Sequence, residues 1–343
     1  MPETATPADE RPAVRRVPSP NRNRVALARL RDLALIPAIL VICVVGQLVN
    51  PVFLNRDNLL NVVQTMSETA VLVLAETLVL IVRKMDLSLE STMGLAPGVA
   101  AWLTVAAGPG HGLGALPGAW AIPVTLAVGL LIGAVNALLI VRCGLNGFIV
   151  TLGMLIVLRG TLTGLSGGET FFQLPGSMLY PGTAQWFGVP ASVWICVTLF
   201  AAGIAVLGWT GAGRSLYAIG GNADAAKAAG IRTDRVLWIV LTVAGGLAAL
   251  SGLLLSGRLA SVASAQGSGA IFTVFAAAVI GGVGLNGGKG SVFGAFTGIL
   301  LLFLIQNVLT LGGVPAQWTG ALNGLIILVA LVLSRITGGR VQD

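Results

Sequence analysis

Along most of this chain, long apolar runs alternate with short polar breaks. The runs fall at 33–51, 59–82, 87–107, 119–141, 148–166, 190–209, 236–256, 271–285, 291–310 and 321–334. A helix rises 1.5 Å per residue, so about twenty apolar residues cross a hydrocarbon core of roughly 30 Å. The pattern predicts an all-α polytopic membrane protein of about ten transmembrane helices, the eighth and tenth being short. The first run, Leu33 to Asn50, has no small-residue cleavage site before Asn55-Arg56-Asp57 and reads as a retained span, not a signal peptide. Residues 1–32 form a tail; Met1 to Asn23 holds too little apolar surface to offset the entropy of ordering and is expected to be disordered. Arg22 to Asp32 is a candidate membrane-surface segment, 33–336 reads as one transmembrane domain, and 337–343 as a C-terminal tail.

Composition strengthens this reading. Hydrophobic residues make up 55% of the 343 and charged residues 10%, against about 25% charged in soluble domains. Of the 20 Lys and Arg, seven lie in the tail, and ten more are Arg83, Lys84, Arg142, Arg214, Lys227, Arg232, Arg235, Lys289, Arg335 and Arg340. With ten spans and both termini cytoplasmic, all seventeen fall inside; Arg56 and Arg258 fall outside and Arg159 within a span. The net charge of +7 therefore reads as topology, not as a nucleic-acid surface.

Cys43, Cys143 and Cys196 are widely spaced without a C-x-x-C pair, and the lone His111 sits in a glycine-rich loop, so neither metal nor disulfide chemistry is expected. Glycines at four-residue spacing, Gly129/Gly133, Gly160/Gly164 and Gly294/Gly298, suit close helix packing in lipid. Trp120, Trp186, Trp209, Trp238 and Trp318 fall near span ends, where the headgroup zone favours an amphipathic ring.

The longest internal basic loop, Gly211 to Arg235, carries more than charge. Ala218 to Gly221 offers a flexible turn, Asn222 an N-cap, Asp224 a first-turn acid, Ala225 to Ala229 a short helix, and Gly230 its stop. Such a helix either docks a partner or merely tidies a loop. The string Gly213-Arg214-Ser215-Leu216-Tyr217-Ala218-Ile219-Gly220-Gly221-Asn222, then Ala225-Ala226 and Gly230-Ile231, resembles the signature loop of the ribose/xylose/arabinose-type permeases of bacterial ABC transporters, within the branched-chain amino acid/ribose permease superfamily. Asn146-Gly147-Phe148-Ile149-Val150-Thr151-Leu152-Gly153 with Arg159-Gly160 is similar to that family's P-F-I-V-T-L-G and R-G, Gly147 standing for Pro. Val279-Ile280-Gly281-Gly282 and Gly287-Gly288-Lys289-Gly290-Ser291 are similar to V-I-G-G-x-S-L-x-G-G-x-G-S.

The resemblance implies the membrane-spanning subunit of an importer for a small sugar in the inner (cytoplasmic) membrane. It implies a homodimer, two ABC-type ATPase subunits and an extracytoplasmic sugar-binding protein, with Gly220, Gly221, Asn222, Asp224, Ala225, Ala226 and Gly230 forming the ATPase-coupling loop. No cofactor is expected in this chain, ATP and Mg being bound by the partner ATPase. On this reading, replacing Ala225 and Ala226 by Asp uncouples ATP hydrolysis from uptake and leaves the membrane fold intact. One departure stands out: where the family has G-G-I-D-L-S-V-G-S, this chain reads Arg83-Lys84-Met85-Asp86-Leu87-Ser88-Leu89-Glu90-Ser91. Glycine permits backbone conformations that Arg and Glu resist, so a differently shaped loop is expected there.

Asp86 and Ser88 are read as capping the third span. Glu68 and Glu76 lie eight residues apart in the second run, about 80° around a helix, and an ionisable residue there is by default a functional candidate. Arg159 either snorkels or pairs with a carboxylate. A sugar path calls for hydroxyl-matching groups, for which Gln64, Thr65, Ser67, Asn136, Thr151, Gln306 and Asn307 are candidates. The stretch ending Gly288-Lys289-Gly290 fails the P-loop pattern twice, at Val283 and at Gly290, so no nucleotide site is expected. The alternative is an ion-coupled secondary transporter of a small polar solute with Glu68, Glu76, Asp86 and Glu90 as coupling carboxylates; the motifs of intramembrane enzymes are missing.

Overall fold

The computed structural model describes residues 35–107 and 112–315, together with Trp318, Ala321, Gly324, Leu325 and Leu328. The N-terminal tail, His111, most of the run 321–334 and the C-terminal tail lie outside the described residues. The architecture is a helical bundle. In chain order its helices are α1 (Ile36–Val49), α2 (Arg56–Ile81), α3 (Ser88–Thr104), α4 (Ala121–Ala137), α5 (Gly147–Ser166), α6 (Gly176–Thr183), α7 (Ala191–Trp209), α8 (Gly211–Gly221), α9 (Ala223–Ala228), α10 (Thr233–Leu259), α11 (Ala270–Ile280) and α12 (Val292–Leu311). Among the described residues, six segments are long and apolar enough to cross a membrane: α2, the 118–142 segment containing α4, α5, α7, α10 and α12.

The two longest helices, α2 with 26 residues and α10 with 27, form the centre. Buried Val71, Leu72, Leu80, Leu241, Ala248 and Leu254 belong to the main core they share. Small residues let these helices meet. A methyl group on Gly245 of α10 would lie 2.3 Å from the Gly129 carbonyl of α4, and one on Gly129 2.3 Å from Ala249 Cβ. The Gly294/Gly298 spacing does the same work between α12 and α11, where a Cβ on Gly298 would lie 2.2 Å from the Ala277 carbonyl. Lipid supplies no hydrophobic drive between helices, so such backbone approach replaces it. Gly160 and Gly164 differ: among the described residues, no other part of the chain comes within 4 Å of the place of a Cβ.

The chain's turns collect at two ends. At one, the Gly288 N–H donates to the Ile81 carbonyl (2.9 Å) and the Tyr217 hydroxyl to the Gly290 carbonyl (2.9 Å), joining the loops after α2, at α8 and after α11. At the other, Phe171 and Val262 form an isolated antiparallel bridge and Arg56 reaches the Gly188 carbonyl. The loops that the charge pattern places on a common side thus meet. The second end carries α6 and a hairpin of β1 (Gln185–Trp186) and β2 (Val189–Pro190), pairing Gln185 with Pro190 and Trp186 with Val189.

One expectation is corrected. Ala218 to Gly221 is the last turn of α8 instead of a flexible turn, since Thr210 caps that helix by accepting from the Gly213 N–H and the helix runs on to Asn222. The eighth apolar run, expected to be short, holds a helix of 11 residues, about 16 Å. In the turn before α3, Arg83 takes φ 61°, the left-handed conformation open to glycine at no steric cost. Neighbouring contacts over-determine it, as its Cα and Cβ abut Gly287.

Candidate functional site

Between α10 and α11 the chain runs through Ser261 to Gly269 without a helix; Val262 is buried at Phe171 and Gln266 at Met93 of α3, while Ala263, Ala265, Ser268 and Gly269 are exposed. Irregular backbone in a membrane protein needs partners for its polar groups. Gln266, buried, donates to the Met93 carbonyl (3.1 Å) and to Ser256 Oγ (3.0 Å), pinning the segment to α3 and α10. A cavity of about 420 Å³ opens beside it, lined among others by Thr69, Met93, Ser268, Thr273, Phe303 and Gln306. Hydroxyls, an amide, glycine backbone and one aromatic face make a wall suited to a small polyhydroxylated solute.

An ion pair stands behind this wall. Arg159 of α5 donates to Glu90 Oε1 through Nη2 (2.5 Å) and to Ser268 Oγ through Nη1 (2.5 Å). The other Glu90 oxygen accepts the Ile271 N–H at the start of α11 (3.1 Å). Glu90, which stands where the resembled family has glycine, therefore links α5, the irregular segment and α11. Arg159 pairs with a carboxylate, one of the two outcomes open from sequence.

A second pair ties α2 to α10. Arg258 donates to both Glu68 oxygens, at 2.5 and 3.0 Å, and the Ser251 hydroxyl to the Glu68 carbonyl at 2.7 Å. Glu76 is equally buried but separate: it joins Asp86, Ser88 and Asn136 in a polar cluster between α2, α3 and α4. The N-cap of α3 is Leu87, whose side chain makes no cap bond; Asp86, one residue before it, accepts the Ser88 N–H at 3.0 Å.

The remaining polar candidates have mainly packing partners. Gln64 donates to the Gly182 carbonyl (2.9 Å), and Asn307 exchanges hydrogen bonds with Asn58 (2.9 and 3.0 Å). Thr65 and Ser67 bond carbonyls of their own helix, and Thr151 bonds the Phe148 carbonyl. Of the pathway candidates named from sequence, Gln306 lines the cavity directly and Arg159 reaches its wall through Ser268. Thr69, Ser268, Thr273 and Phe303 were not singled out from sequence. The polar, glycine-containing run Ser261 to Gly269 between two apolar runs is the signal that pointed there.

The loop at 211–230 forms a second surface. Asn222 Oδ1 accepts from the Ala225 N–H (2.9 Å), capping α9. Gly230 follows the helix at φ 85°. Asp224, Ala225, Lys227 and Ala228 are exposed while Ala226 is 4% exposed and packs into the main core. Gly220 fits α8 against the end of α2, since a Cβ there would lie 1.8 Å from the Ile81 carbonyl and 2.4 Å from the Gly288 nitrogen. The inward position of Ala226 corrects the expectation that Asp at both 225 and 226 spares the fold.

Comparison with known proteins fits this geometry. Residues 58–331 match the model of the branched-chain amino acid transport system/permease component family. The chain is 33% identical over 300 residues to the ribose import permease protein RbsC of Escherichia coli K12, covering 86% of this chain and 91% of that protein. It is 30% identical over 305 residues to RbsC of Haemophilus influenzae, covering 88% and 92%. To the autoinducer 2 import system permease protein LsrC of Klebsiella pneumoniae it is 35% identical over 307 residues, covering 90% and 87%. No solved structure matches it. The chain belongs to the branched-chain amino acid transport permease family, as the resemblance of its motifs implies. It is a multi-pass inner-membrane protein and the permease component of a transport system.

Proposed function

We propose that this chain is the membrane-spanning subunit of an ATP-driven importer that takes a small sugar from an extracytoplasmic binding protein. The observation that carries the proposal is the exposed, capped α9 joined through α8 to the ends of α2 and of the turn after α11. Such a surface transmits a push from a partner into helices that line the cavity. The relatives named for ribose and autoinducer 2 import support a pentose-like solute, and the hydroxyl- and amide-lined cavity has the matching chemistry.

In this reading the permease domain spans 33–336 with about ten crossings and both termini cytoplasmic. The irregular segment 261–269 followed by α11 supplies the eighth crossing in two halves, as at the discontinuous helices of transporters. ATP and Mg bind to separate ATPase subunits docked on Asn222 to Gly230; this chain hydrolyses nothing. ATP-driven closure of the ATPases moves α9 and switches the side to which the cavity opens. A homodimer is supported by Gly160 and Gly164, small residues at helix-packing spacing where, among the described residues, no other part of the chain comes within 4 Å of the place of a Cβ. Of the four carboxylates that the ion-coupled alternative calls on, Glu68 and Glu90 are each committed to an arginine, which weakens that reading, while Glu76 and Asp86 are not.

The test is reconstitution with co-purified partners, followed by uptake of labelled ribose. Uptake that requires ATP and the binding protein upholds the proposal. Uptake by the chain alone that follows a sodium or proton gradient overturns it.

A further inference from the structure

Two carboxylates lie within the bundle without a cationic side chain to balance them. Glu76 and Asp86 are each 0% exposed, and neither takes part in an ion pair among the described residues, unlike Glu68 and Glu90. Asp86 is partly satisfied. Ser88 donates to its Oδ1 from the backbone (3.0 Å) and from Oγ (2.5 Å), and Asn136 Nδ2 donates to Oδ2 (3.2 Å). Glu76 has less: its Oε1 accepts one long bond from the Asp86 N–H (3.4 Å), and its Oε2 has no hydrogen-bond partner. Asn136, 1% exposed, is aimed into the same cluster by its bonds to Asp86 and Ser88, yet its Oδ1 is also without a partner.

An amide oxygen only accepts, and so does an ionised carboxylate. The cluster therefore combines two carboxylates, a hydroxyl and two unmatched acceptor oxygens in an enclosed place, where an uncompensated charge or acceptor is costly. Oxygen-only donor sets of this kind suit hard cations, which carboxylate and carbonyl groups bind in preference to soft ones. A cation at Glu76 Oε2 would balance charge and occupy the free lone pairs of that oxygen, and inversion of the Asn136 amide, whose Nδ2 faces Asp86 and Ser88, would turn its unpaired Oδ1 to the same place.

We propose that Glu76, Asp86, Ser88 and Asn136 form a binding site for a small hard metal cation, which ties α2 to the α2–α3 turn and to α4. The site is distinct from the solute cavity, since none of these four residues lines it. Its place beside the turn 82–87, which meets Gly287 through Arg83, puts the cation next to the end of the bundle where α8 is seated. The ion's role here is to hold that end together, not to drive transport.

The experiment is thermal unfolding of the purified full-length chain in detergent at fixed pH and ionic strength, with choline chloride replaced by sodium, magnesium or calcium chloride. Saturable stabilisation by one of these ions, with Tm rising by about 5 °C, is expected. Glu76→Gln and Asn136→Leu should each abolish the rise, with Ser88→Ala, a milder change, weakening it. The sodium and divalent arms tell which charge the site takes. Equal Tm in every salt overturns the proposal, and so does a rise that survives in both Glu76→Gln and Asn136→Leu. A Tm that is indifferent to the cation but climbs as pH falls also overturns it, since a proton then does the balancing. Should the variants fail to fold, the cation titration of the unaltered chain decides alone. Because no ATPase or solute is present, failure here leaves the importer reading untouched.

Discussion

Gly220 and Ile81 are in backbone contact: a Cβ on Gly220 would sit 1.8 Å from the Ile81 carbonyl oxygen. That carbonyl already accepts the Gly288 N–H, so three segments far apart in sequence converge on one point. Gly220→Ala must push α8 off the end of α2, at a cost of about 1–3 kcal/mol for overpacking. We expect ATP-dependent uptake to fall at least about tenfold while the chain still inserts, because the displaced element is the one that carries the partner's motion. Uptake assays beside a measurement of membrane-inserted protein check this.

Ala225 and Ala226 are neighbours with opposite surroundings. Ala225→Asp adds a carboxylate to the exposed first turn of a helix, where the dipole favours it, and should change stability by less than about 0.5 kcal/mol while abolishing ATPase-coupled uptake. Ala226→Asp buries a charge and should destabilise the chain by several kcal/mol, on the order of 3. Thermal unfolding of the two variants side by side separates docking from folding.

The Glu68–Arg258 pair joins helices across a sequence separation of 190 residues. Removing one partner leaves the other charge enclosed, so Glu68→Ala or Arg258→Ala should each cost on the order of 3 kcal/mol. The double variant Glu68→Met/Arg258→Met should recover most of that loss, since no unpaired charge remains. Unfolding midpoints of the single and double variants form the cycle.

Glu90 and Arg159 brace Ser268 and the start of α11 at the cavity wall. Glu90→Gly should loosen that wall and raise the half-saturating solute concentration more than it lowers the maximal uptake rate. Arg159→Ala should act in the same direction, and the two together should be less than additive because they break one shared linkage. Concentration-dependent uptake by the three variants is the measurement.

Much of the architecture was legible along the chain. The boundaries of α5, α7 and α12 lie within one residue of the apolar runs at 148–166, 190–209 and 291–310. The α9 cap at Asn222 and the stop at Gly230 were equally readable, since each rests on residues next to it. Local chemistry misled at α8. The glycines at Gly220 and Gly221 read as a turn, whereas the helix runs through them, with Gly220 packed against Ile81.

The sequence by itself determined that the chain lives in lipid, roughly where it crosses, which loops share a side and which short helix faces outward, because hydropathy, charge placement and capping act over a few turns. Tertiary structure alone decided which carboxylate meets which arginine, that α11 is a half-length helix beside an irregular segment, and that Thr69, Ser268, Thr273 and Phe303 wall the cavity. It also decided that Glu76 and Asp86 share an enclosure without a basic partner. Those pairings join residues tens to hundreds of positions apart, and in a bundle built on close glycine contacts they depend on the angle and depth at which each helix meets its neighbours. No local pattern encodes that geometry.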